Sequence, residues 1–262
     1  MAGASDNAPL RRLGAAGVLA RNRRALMPAL RYAVREVVHN RLSQLANTYG
    51  SDKGFGYHGY TRVYDLLLGG IRHEVRAVLE IGLLQHATQR RLGGSSFVDA
   101  PSLRMLAEYF PNARIVGFDI KDFSGFRHPR CLTVRGDQSS REDLRRVAEI
   151  LDGELLDVVI DDGLHASRHQ QISLATLLPL VRGGGFYFVE DLHYQPLKAE
   201  SPDAVTTLEV LQRVTCGREF ESPALTDEEN RRTQAAIASI SLHETLKPGR
   251  VGQIGLAVIR KR

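Results

Sequence analysis

Two short segments of the chain each end an apolar run with two adjacent acidic residues, and a histidine follows closely. The first segment reads VVIDDGLHASRH over residues 158–169, and the second reads FVEDLHYQP over residues 188–196. Adjacent carboxylates repel each other, and folding alone does not require the pattern to occur twice. The repetition indicates that both segments contribute to one site.

The acidic residues of these segments are candidate ligands of a single metal ion. Asp162, Glu190 and Asp191 would bring three carboxylates to one point, where at least one would take up a proton unless a cation compensated them. All-oxygen ligands favour a hard ion such as Mg²⁺, Mn²⁺ or Ca²⁺, and three protein ligands leave positions open for substrate oxygens. The competing interpretation is that these acids only cap helices, as aspartate does in many proteins.

The histidines of the two segments are assigned different roles. His165 lies three residues beyond Asp162, on the loop into the next predicted helix, where it is placed to act as a base beside the metal. His169 begins the predicted helix HQQISLATLLPL, so a packing or helix-end role is the simpler interpretation. His193 is ambiguous, and the mechanism does not depend on it.

The elements that must position these side chains alternate between strands and helices. Short β-rich runs occupy residues 75–82, 113–120, 131–137, 155–162 and 185–191. Helix candidates near residues 100–110, 139–151 and 167–181 separate these runs. Such alternation, with strands that are apolar on both faces, predicts a doubly wound, mostly parallel α/β sheet of the Rossmann-like type.

The end of the sequence departs from this alternation. Residues 235–244 and 251–261 read as strands on either side of the loop signal TLKPGR, so they are expected to pair antiparallel as a C-terminal hairpin. Five parallel strands and this hairpin make a seven-stranded sheet. That combination indicates the methyltransferase variant of the doubly wound fold.

Acidic residues stand at the carboxyl ends of all five parallel strands, where open α/β sheets bind their ligands. Asp119 is positioned for the two hydroxyls of a ribose, because a carboxylate accepts two hydrogen bonds from a vicinal diol. No G-x-G-x-x-G follows the first strand, which disfavours a nicotinamide cofactor. Glu80 to Gly82 occupy the place of the glycine-rich first motif of class I methyltransferases, and this similarity implies S-adenosylmethionine as the ligand. The cofactor-binding residues would be Glu80, Gly82, Asp119, Asp137 and Asp161.

The positive charge of the chain is concentrated near its beginning. The chain has a net charge of +5, and residues 1–47 alone carry eight arginines against two acidic residues, so the remainder is slightly acidic. Apolar positions from Leu30 to Leu45 recur at three and four, which predicts an amphipathic helix. We therefore divide the chain into a basic N-terminal arm with a helix, residues 1–47, and a methyltransferase domain, residues 48–262.

Composition limits the compartment and the class of protein. The 262 residues contain no apolar run long enough to span a membrane and no apolar core of a secretory signal. Cys131 and Cys216 lie far apart without metal-ligand spacing, so we expect free thiols and a cytoplasmic location.

Six regions of the sequence resemble one known group, the class I sugar O-methyltransferases. Members of this group depend on S-adenosylmethionine and a metal, and they modify macrolide deoxysugars. They are YGSDKG and YHGYTRVYD (49–65), LEIG (79–82), PSLRMLAEYFPNARIVGFDI (101–120), GDQS (136–139), IDDGLHASRHQ (160–170) and GGGFYFVEDLH (183–193). The resemblance implies Mg²⁺ (or Mn²⁺) held by Asp162, Glu190 and Asp191, with His165 as the general base. Leu164 stands where this group commonly has a small polar residue, and segment 83–100 differs from the usual glycine loop.

The resemblance implies methyl transfer from S-adenosylmethionine to a sugar hydroxyl of a glycosylated natural product or glycolipid, as in antibiotic biosynthesis. The expected partners are a small-molecule glycoside substrate and a second copy of the chain in a homo-oligomer. Weak contact of the basic arm with a membrane surface is the remaining partner prediction.

Two alternatives differ in substrate class. The same metal chemistry would suit a catechol, although an aromatic content of 6% without tryptophan disfavours a stacked planar substrate. An RNA-binding methyltransferase or a noncatalytic nucleic-acid module could use the arginine-rich arm, but the rest of the chain lacks interleaved basic and aromatic residues, so no nucleic acid is expected.

Overall fold

The computed structural model of the protein describes residues 40–54, 56–83, 99–196, 198–200 and 204–262. The predictions for residues 1–39, which include the arm and most of the amphipathic helix, lie outside this range, as does the loop 84–98. The residues from Asn40 onward belong to one compact unit. The proposed boundary at residue 47 stays a prediction, and a helix that begins at Arg41 crosses it.

A seven-stranded sheet forms the centre of this unit. Its strands are β1 Ala77–Ile81, β2 Arg114–Asp119, β3 Cys131–Arg135, β4 Leu156–Asp161, β5 Val181–Val189, β6 Ile237–Glu244 and β7 Ile254–Lys261. The strand order is β3-β2-β1-β4-β5-β7-β6. The first five strands run parallel, and β7 pairs antiparallel with both β5 and β6. The predicted doubly wound sheet with a C-terminal antiparallel hairpin is therefore confirmed.

Helices cover both faces of the sheet. They are α1 Arg41–Tyr49, α2 Thr61–Leu68, α3 Pro101–Tyr109, α4 Arg141–Leu151, α5 Ser167–Leu177, α6 Thr207–Thr215 and α7 Asp227–Ala236, with a short 3₁₀ helix at Leu178–Leu180. The sequence predicted α3, α4 and α5 close to these bounds. It did not predict α2, α6 or α7.

The burial of the central strands explains why their sequences are apolar on both faces. All five residues of β1 and all six residues of β4 are buried. Val78 packs in a core cluster with Leu103, whereas the next residue, Leu79, packs in a second cluster with Leu144 on the opposite face. Alternate side chains of a strand thus feed two cores, as a sheet covered on both faces requires.

Three predicted boundaries were wrong for identifiable reasons. Helix α5 ends at Leu177 and not near residue 181, because Pro179 has no N–H to continue the helix and lies in the 3₁₀ turn. Strand β5 consequently begins at Val181, four residues before its predicted start, and carries Gly183 to Gly185 within it. The predicted strand from residue 235 begins at Ile237, because α7 continues to Ala236.

Two further expectations concern the whole described region. Among its helices, none has the length and apolar character required to cross a membrane. Cys131 and Cys216 are both free thiols, as predicted.

Candidate active site

The carboxyl ends of β1, β4 and β5 bring the two acidic segments together. β4 pairs in parallel with both β1 and β5, so the chain leaves all three strands at one edge of the sheet. The backbone N–H of Asp162 donates to the carbonyl of Ile81 at 2.9 Å, and the N–H of Glu190 donates to the carbonyl of Asp161 at 2.9 Å. These bonds extend the sheet ladder by one residue and fix where both acidic pairs leave it.

Asp162, His165 and Asp191 form a compact group of potential metal ligands. One ligand atom from each residue lies within 4.8 Å of the others. The Nε2 atom of His165 is 4.0 Å from Oδ1 of Asp162 and 3.7 Å from Oδ2 of Asp191. The structure therefore brings His165 between two of the predicted ligands, and this group of three does not include Glu190.

The backbone conformation at this group is unusual. His165 and Asp191 have φ angles of 63° and 55°, in the left-handed region that L-residues rarely adopt. Among the described non-glycine residues, only Asp152, at the end of α4, shares a positive φ. Such conformations cost about 1–3 kcal/mol each and persist where the surrounding structure enforces them, which is common at functional sites.

Glu190 lies beside this group and is held by a buried lysine. Its Oε1 atom forms an ion pair with the Nζ of Lys53 at 3.0 Å and accepts a hydrogen bond from the hydroxyl of Tyr64. Lys53 also donates to Oδ2 of Asp162 and lies 3.4 Å from Oε1 of Glu80. One ammonium group, only 1% exposed, thus joins three carboxylates.

The site contains more carboxylates than cations. Burial raises the pKa of Asp162 and of Glu190, and the charge of Asp162 raises the pKa of Glu190 further. Burial would lower the pKa of Lys53, but the charges of Asp162 and Glu190 raise it well above its ordinary value. Since one ammonium does not neutralise these groups, the donor set fits a divalent cation bound by carboxylate oxygens.

Asp191 differs from the other two predicted ligands because its surroundings lower its pKa. Its Oδ1 atom contacts Nδ1 of His58 at 2.7 Å and accepts from the hydroxyl of Tyr60 at 2.8 Å. Burial acts to raise the pKa of Asp191, but the hydrogen bond with His58 and the charges of His58 and His165 outweigh it and lower the pKa. A carboxylate with a lowered pKa is available as a metal ligand at neutral pH.

No role was predicted from the sequence for Lys53, His58, Tyr60 or Tyr64. All four belong to the segment YGSDKGFGYHGYTRVYD, for which the sequence indicates a family resemblance but no chemical role. The signal that could have found them is their chemistry: a lysine, a histidine and two tyrosines are hydrogen-bond donors within 12 residues.

A cleft of about 460 Å³ opens beside the metal-ligand group. Polar lining comes from Gly82, Asp119, Asp137, Gln138, Asp162 and His165, and apolar lining comes from Ile120, Leu164 and Tyr194. Ile120 and Leu164 are 58% and 48% exposed, so they offer unpaired apolar surface to a ligand. The cleft therefore combines apolar sides with carboxylates, as a nucleoside site requires.

Asp119 ends β2 at the edge of this cleft. Its Oδ2 atom accepts from the N–H of Leu83 at 2.8 Å, and its Oδ1 atom accepts from the N–H of Lys121 at 2.7 Å. Each carboxylate oxygen retains a further lone pair for a ligand hydroxyl.

Two glycines permit the close approach of loops at the cleft. Gly82 has a φ of 86°, and a Cβ at this position would lie 2.0 Å from the carbonyl oxygen of Asp162. A Cβ on Gly163 would lie 2.1 Å from Oε1 of Gln138. The single glycine of EIG is thus required by the close approach of the β1 and β4 loops, whereas the glycine of D-D-G-x-H leaves room for the side chain of Gln138, which follows β3.

The other predicted cofactor-binding acids occupy different positions. Glu80 is fully buried and faces Lys53, and burial raises its pKa to about 7. Asp137 lines the cleft and accepts from both the N–H and the hydroxyl of Ser139 at 2.7 Å. Neither contact involves a ligand, so the cofactor roles of these residues stay predictions.

Asp161 is a fully buried side chain that does not line the cleft. It accepts from Nε2 of Gln138 at 2.6 Å and from the hydroxyl groups of Ser173 and Tyr187. Gln138 in turn accepts from the N–H of Leu164 at 3.1 Å. The contacts of Asp161 therefore support the wall of the cleft.

The two remaining histidines are placed near the site. His169 lies in the first turn of α5 and lines the cleft, and burial lowers its pKa. His193 has a side chain only 3% exposed, and its Nδ1 lies 4.0 Å from Oδ1 of Asp191.

Relatives among proteins of known function include two O-methyltransferases, one from a Streptomyces and one from a Micromonospora species. The 8-demethyl-8-alpha-L-rhamnosyl tetracenomycin-C 2'-O-methyltransferase of Streptomyces olivaceus is 34% identical over 229 residues, which are 84% of this chain and 58% of that protein. The mycinamicin VI 2''-O-methyltransferase of Micromonospora griseorubida is 39% identical over 152 residues, which are 58% of this chain and 36% of that protein. The chain is a homologue of sugar O-methyltransferases. No protein-family model matches it.

A solved structure shows that the fold is also similar to that of a sugar O-methyltransferase. The MycE methyltransferase from the mycinamycin biosynthetic pathway, in complex with Mg, SAH and mycinamycin VI, aligns with a TM-score of 0.66 at 28% identity. The alignment covers 84% of this chain and 54% of that chain. The chain thus spans little more than half the length of this relative, and the predicted resemblance and methyltransferase fold are confirmed.

Proposed function

We propose that the protein transfers a methyl group from S-adenosylmethionine to a hydroxyl of a deoxysugar carried by a glycosylated natural product, with a divalent ion such as Mg²⁺ at the site. The observation that carries the proposal is the convergence of Asp162, His165 and Asp191 beside the cleft of a sugar O-methyltransferase homologue. The relatives named above act on a rhamnosyl tetracenomycin and on mycinamicin VI, which makes a glycoside the expected acceptor class.

Residues of the cleft would bind the donor. Asp119 would accept hydrogen bonds from the ribose hydroxyls. Ile120 and Leu164 would pack against the adenine with their exposed apolar side chains. Asp137, at the edge of the same cleft, would face the adenine end of the donor. Glu80 and Gly82 would set the shape of the cleft near the methionine end.

Asp162, Glu190 and Asp191 would hold the divalent ion. When bound, S-adenosylmethionine supplies a methyl group on a sulfonium, and the divalent ion supplies positive charge that lowers the pKa of the acceptor hydroxyl. His165 would take the acceptor proton at Nε2, the atom that faces Asp162 and Asp191. The acceptor oxygen would then receive the methyl group, and S-adenosylhomocysteine would leave.

Chelation tests the metal part of this proposal. Methyl transfer to a rhamnosylated acceptor is expected to stop in excess chelator and to return with Mg²⁺ or Mn²⁺, while calorimetry shows that S-adenosylmethionine still binds. Full activity of protein that elemental analysis shows to be free of metal would contradict the proposal.

The acceptor class is tested by comparing substrates under the same conditions. A rhamnosyl or other deoxysugar glycoside is expected to be methylated with a higher kcat/KM than a simple catechol. A preference for the catechol would favour the alternative of a small-molecule phenol methyltransferase.

A further inference from the structure

One segment near the beginning of the described chain makes repeated contacts with the predicted metal ligands. We call Lys53, His58, Tyr60 and Tyr64 the holding residues. All four are buried, and their polar atoms contact the carboxylates of Asp162, Glu190 and Asp191. The proposed reaction has used none of them, so their shared function needs an explanation.

The two oxygen atoms of Asp191 have different partners. Oδ1 contacts Nδ1 of His58 at 2.7 Å and the hydroxyl of Tyr60 at 2.8 Å. Oδ2 lies 3.7 Å from Nε2 of His165. One oxygen is therefore fixed by two holding residues, and the other is directed toward the metal-ligand group.

Asp162 shows the same division. Its Oδ2 atom accepts from Lys53, and its Oδ1 atom lies 4.0 Å from Nε2 of His165. The free oxygens of Asp162 and Asp191 therefore face one point from two loops.

Glu190 is fixed through a single oxygen as well. Lys53 forms an ion pair with its Oε1 atom, and Tyr64 donates a hydrogen bond to the same atom. Lys53 thus links Glu190 to Asp162, so the side chains of both predicted ligands depend on the position of one ammonium group.

We propose that the holding residues position the metal ligands by occupying one oxygen of each carboxylate, which leaves the other oxygen of Asp162 and of Asp191 for a divalent cation. This inference rests on the proposed function, since it assumes a metal at the site. The holding residues are positioning residues and touch neither substrate nor metal. Outer hydrogen-bond partners of metal ligands typically contribute about 10- to 100-fold to metal affinity, because they hold the ligand in its binding geometry.

Tyr60→Phe tests the proposal with a minimal change in shape. The variant removes the hydroxyl that donates to Asp191 at 2.8 Å and to the carbonyl of Gly255 at 3.1 Å. We expect Mn²⁺ to bind roughly 10-fold more weakly, measured by electron paramagnetic resonance of the free ion, with unchanged affinity for S-adenosylmethionine. The spectrum of the bound ion is also expected to change, which loss of stability alone would not cause.

Tyr109→Phe is the matched control. Tyr109 is equally buried, and its hydroxyl donates to the carboxylate of Asp65 at 2.5 Å, away from the predicted ligands. The control removes the same kind of hydrogen bond and is expected to leave Mn²⁺ affinity as it is in the unaltered protein.

Tyr60 contacts both Asp191 and Gly255, whereas the side chain of His58 contacts Asp191. Variants at His58 therefore test the contact with Asp191 alone. His58→Leu is expected to weaken Mn²⁺ binding as Tyr60→Phe does, whereas His58→Asn supplies an amide donor in place of Nδ1 and is expected to recover part of the affinity.

The outcomes distinguish this inference from the proposed function. Unaltered protein that binds Mn²⁺, with Tyr60→Phe and His58→Leu binding it equally well, would overturn the positioning role and leave the proposed function intact. Unaltered protein that does not bind Mn²⁺ would overturn both.

Discussion

At the scale of single residues, His165 stands out because its position and its backbone conformation are both tied to the carboxylates. Its Nε2 lies 3.7 Å from Asp191 and 4.0 Å from Asp162. Its backbone has a φ of 63°, in the left-handed region. The same contacts would suit a base or a metal ligand. Kinetics and metal binding, measured on the same variant, separate the two roles.

His165→Ala is expected to lower turnover by roughly 10²- to 10⁴-fold, because the acceptor hydroxyl loses its proton acceptor. Mn²⁺ affinity measured by electron paramagnetic resonance is expected to remain. The control is His243→Ala, since His243 lies on β6 and its side chain contacts Ser241. Equal loss of Mn²⁺ binding and turnover in His165→Ala would make the histidine a ligand.

Asp119→Ala is expected to weaken S-adenosylmethionine binding by about 10-fold or more, since a charge-assisted hydrogen-bond acceptor of the ribose is lost. Isothermal titration calorimetry measures the change. Asp122→Ala is a matched control, because Asp122 accepts from the N–H two residues ahead just as Asp119 does, but is exposed. Unchanged affinity in Asp119→Ala would remove this residue from the donor site.

At the scale of elements, an ion pair joins the starts of α4 and α7. Arg141 donates from Nε and Nη2 to the two carboxylate oxygens of Glu229 at 2.6 and 2.9 Å. The hydrogen bond from Arg141 is the largest cause that lowers the pKa of Glu229, to about 2. Both side chains are less than one third exposed, so solvent screens the pair only in part.

Arg141→Met is expected to lower the free energy of unfolding at pH 7 by about 1–3 kcal/mol, because the folded protein loses its preference for ionised Glu229. A carboxyl group with a lowered pKa stabilises the fold above its unfolded pKa, and this contribution disappears as pH falls through its folded pKa. The difference between variant and unaltered protein should therefore shrink from about pH 5 toward pH 2.

Urea unfolding at a series of pH values measures this difference. Arg231→Met is the control, since Arg231 pairs with Glu228 on the same helix but both side chains are 71% exposed, and it should change the free energy of unfolding little. A constant difference between Arg141→Met and unaltered protein across the pH range would contradict the prediction.

The sequence predicted the elements whose periodicity and burial are strong. All seven strands were found, since their apolar runs reflect burial on the sheet. Helices α6 and α7 were missed, although Thr206 with Glu209 and Thr226 with Glu229 form capping boxes that mark their starts. Helix α6 is only nine residues long, and α7 is too polar to show helical periodicity, since it buries only Thr233.

The candidate site was predicted in part for a related reason. Acids at strand ends are local signals, so Asp162 and Asp191 could be placed from strand order alone. Lys53 lies 109 residues from Asp162 in the chain, and no local pattern shows that its ammonium reaches that carboxylate. The supporting contacts of Asp161 were likewise invisible, because they depend on Ser173 and Tyr187 from two other elements.

At the scale of the whole molecule, α1 belongs to the unit that carries the site. Leu42 and Leu45 are buried in the core, and the side chain of Asn40 accepts from the N–H of Ser43 as the helix cap. A truncation that removes the basic N-terminal arm must therefore stop before Asn40 if the helix is to remain intact.

A chain that starts at Asn40 is expected to fold and to retain methyl transfer to a soluble acceptor. A chain that starts at Gly50 is expected to lose about 3 kcal/mol or more of stability in urea unfolding, since two buried leucines are removed. A folded chain from Asn40 that binds S-adenosylmethionine but transfers no methyl group would show that the preceding residues belong to the site.

The position of β7 between β5 and β6 has a consequence for synthesis on the ribosome. β6 emerges before β7, yet among the described strands it pairs only with β7, so it has no place in the sheet until its successor has docked. The edge of β5 stays open for the same interval, and an open edge can pair with other chains. The carbonyl oxygen of Gly255, on β7, also accepts hydrogen bonds from the N–H of Leu192 and from the hydroxyl of Tyr60. Leu192 follows Asp191 in the chain, and Tyr60 contacts the Asp191 carboxylate. A nascent chain therefore completes the surroundings of Asp191 only when β7 has left the ribosome.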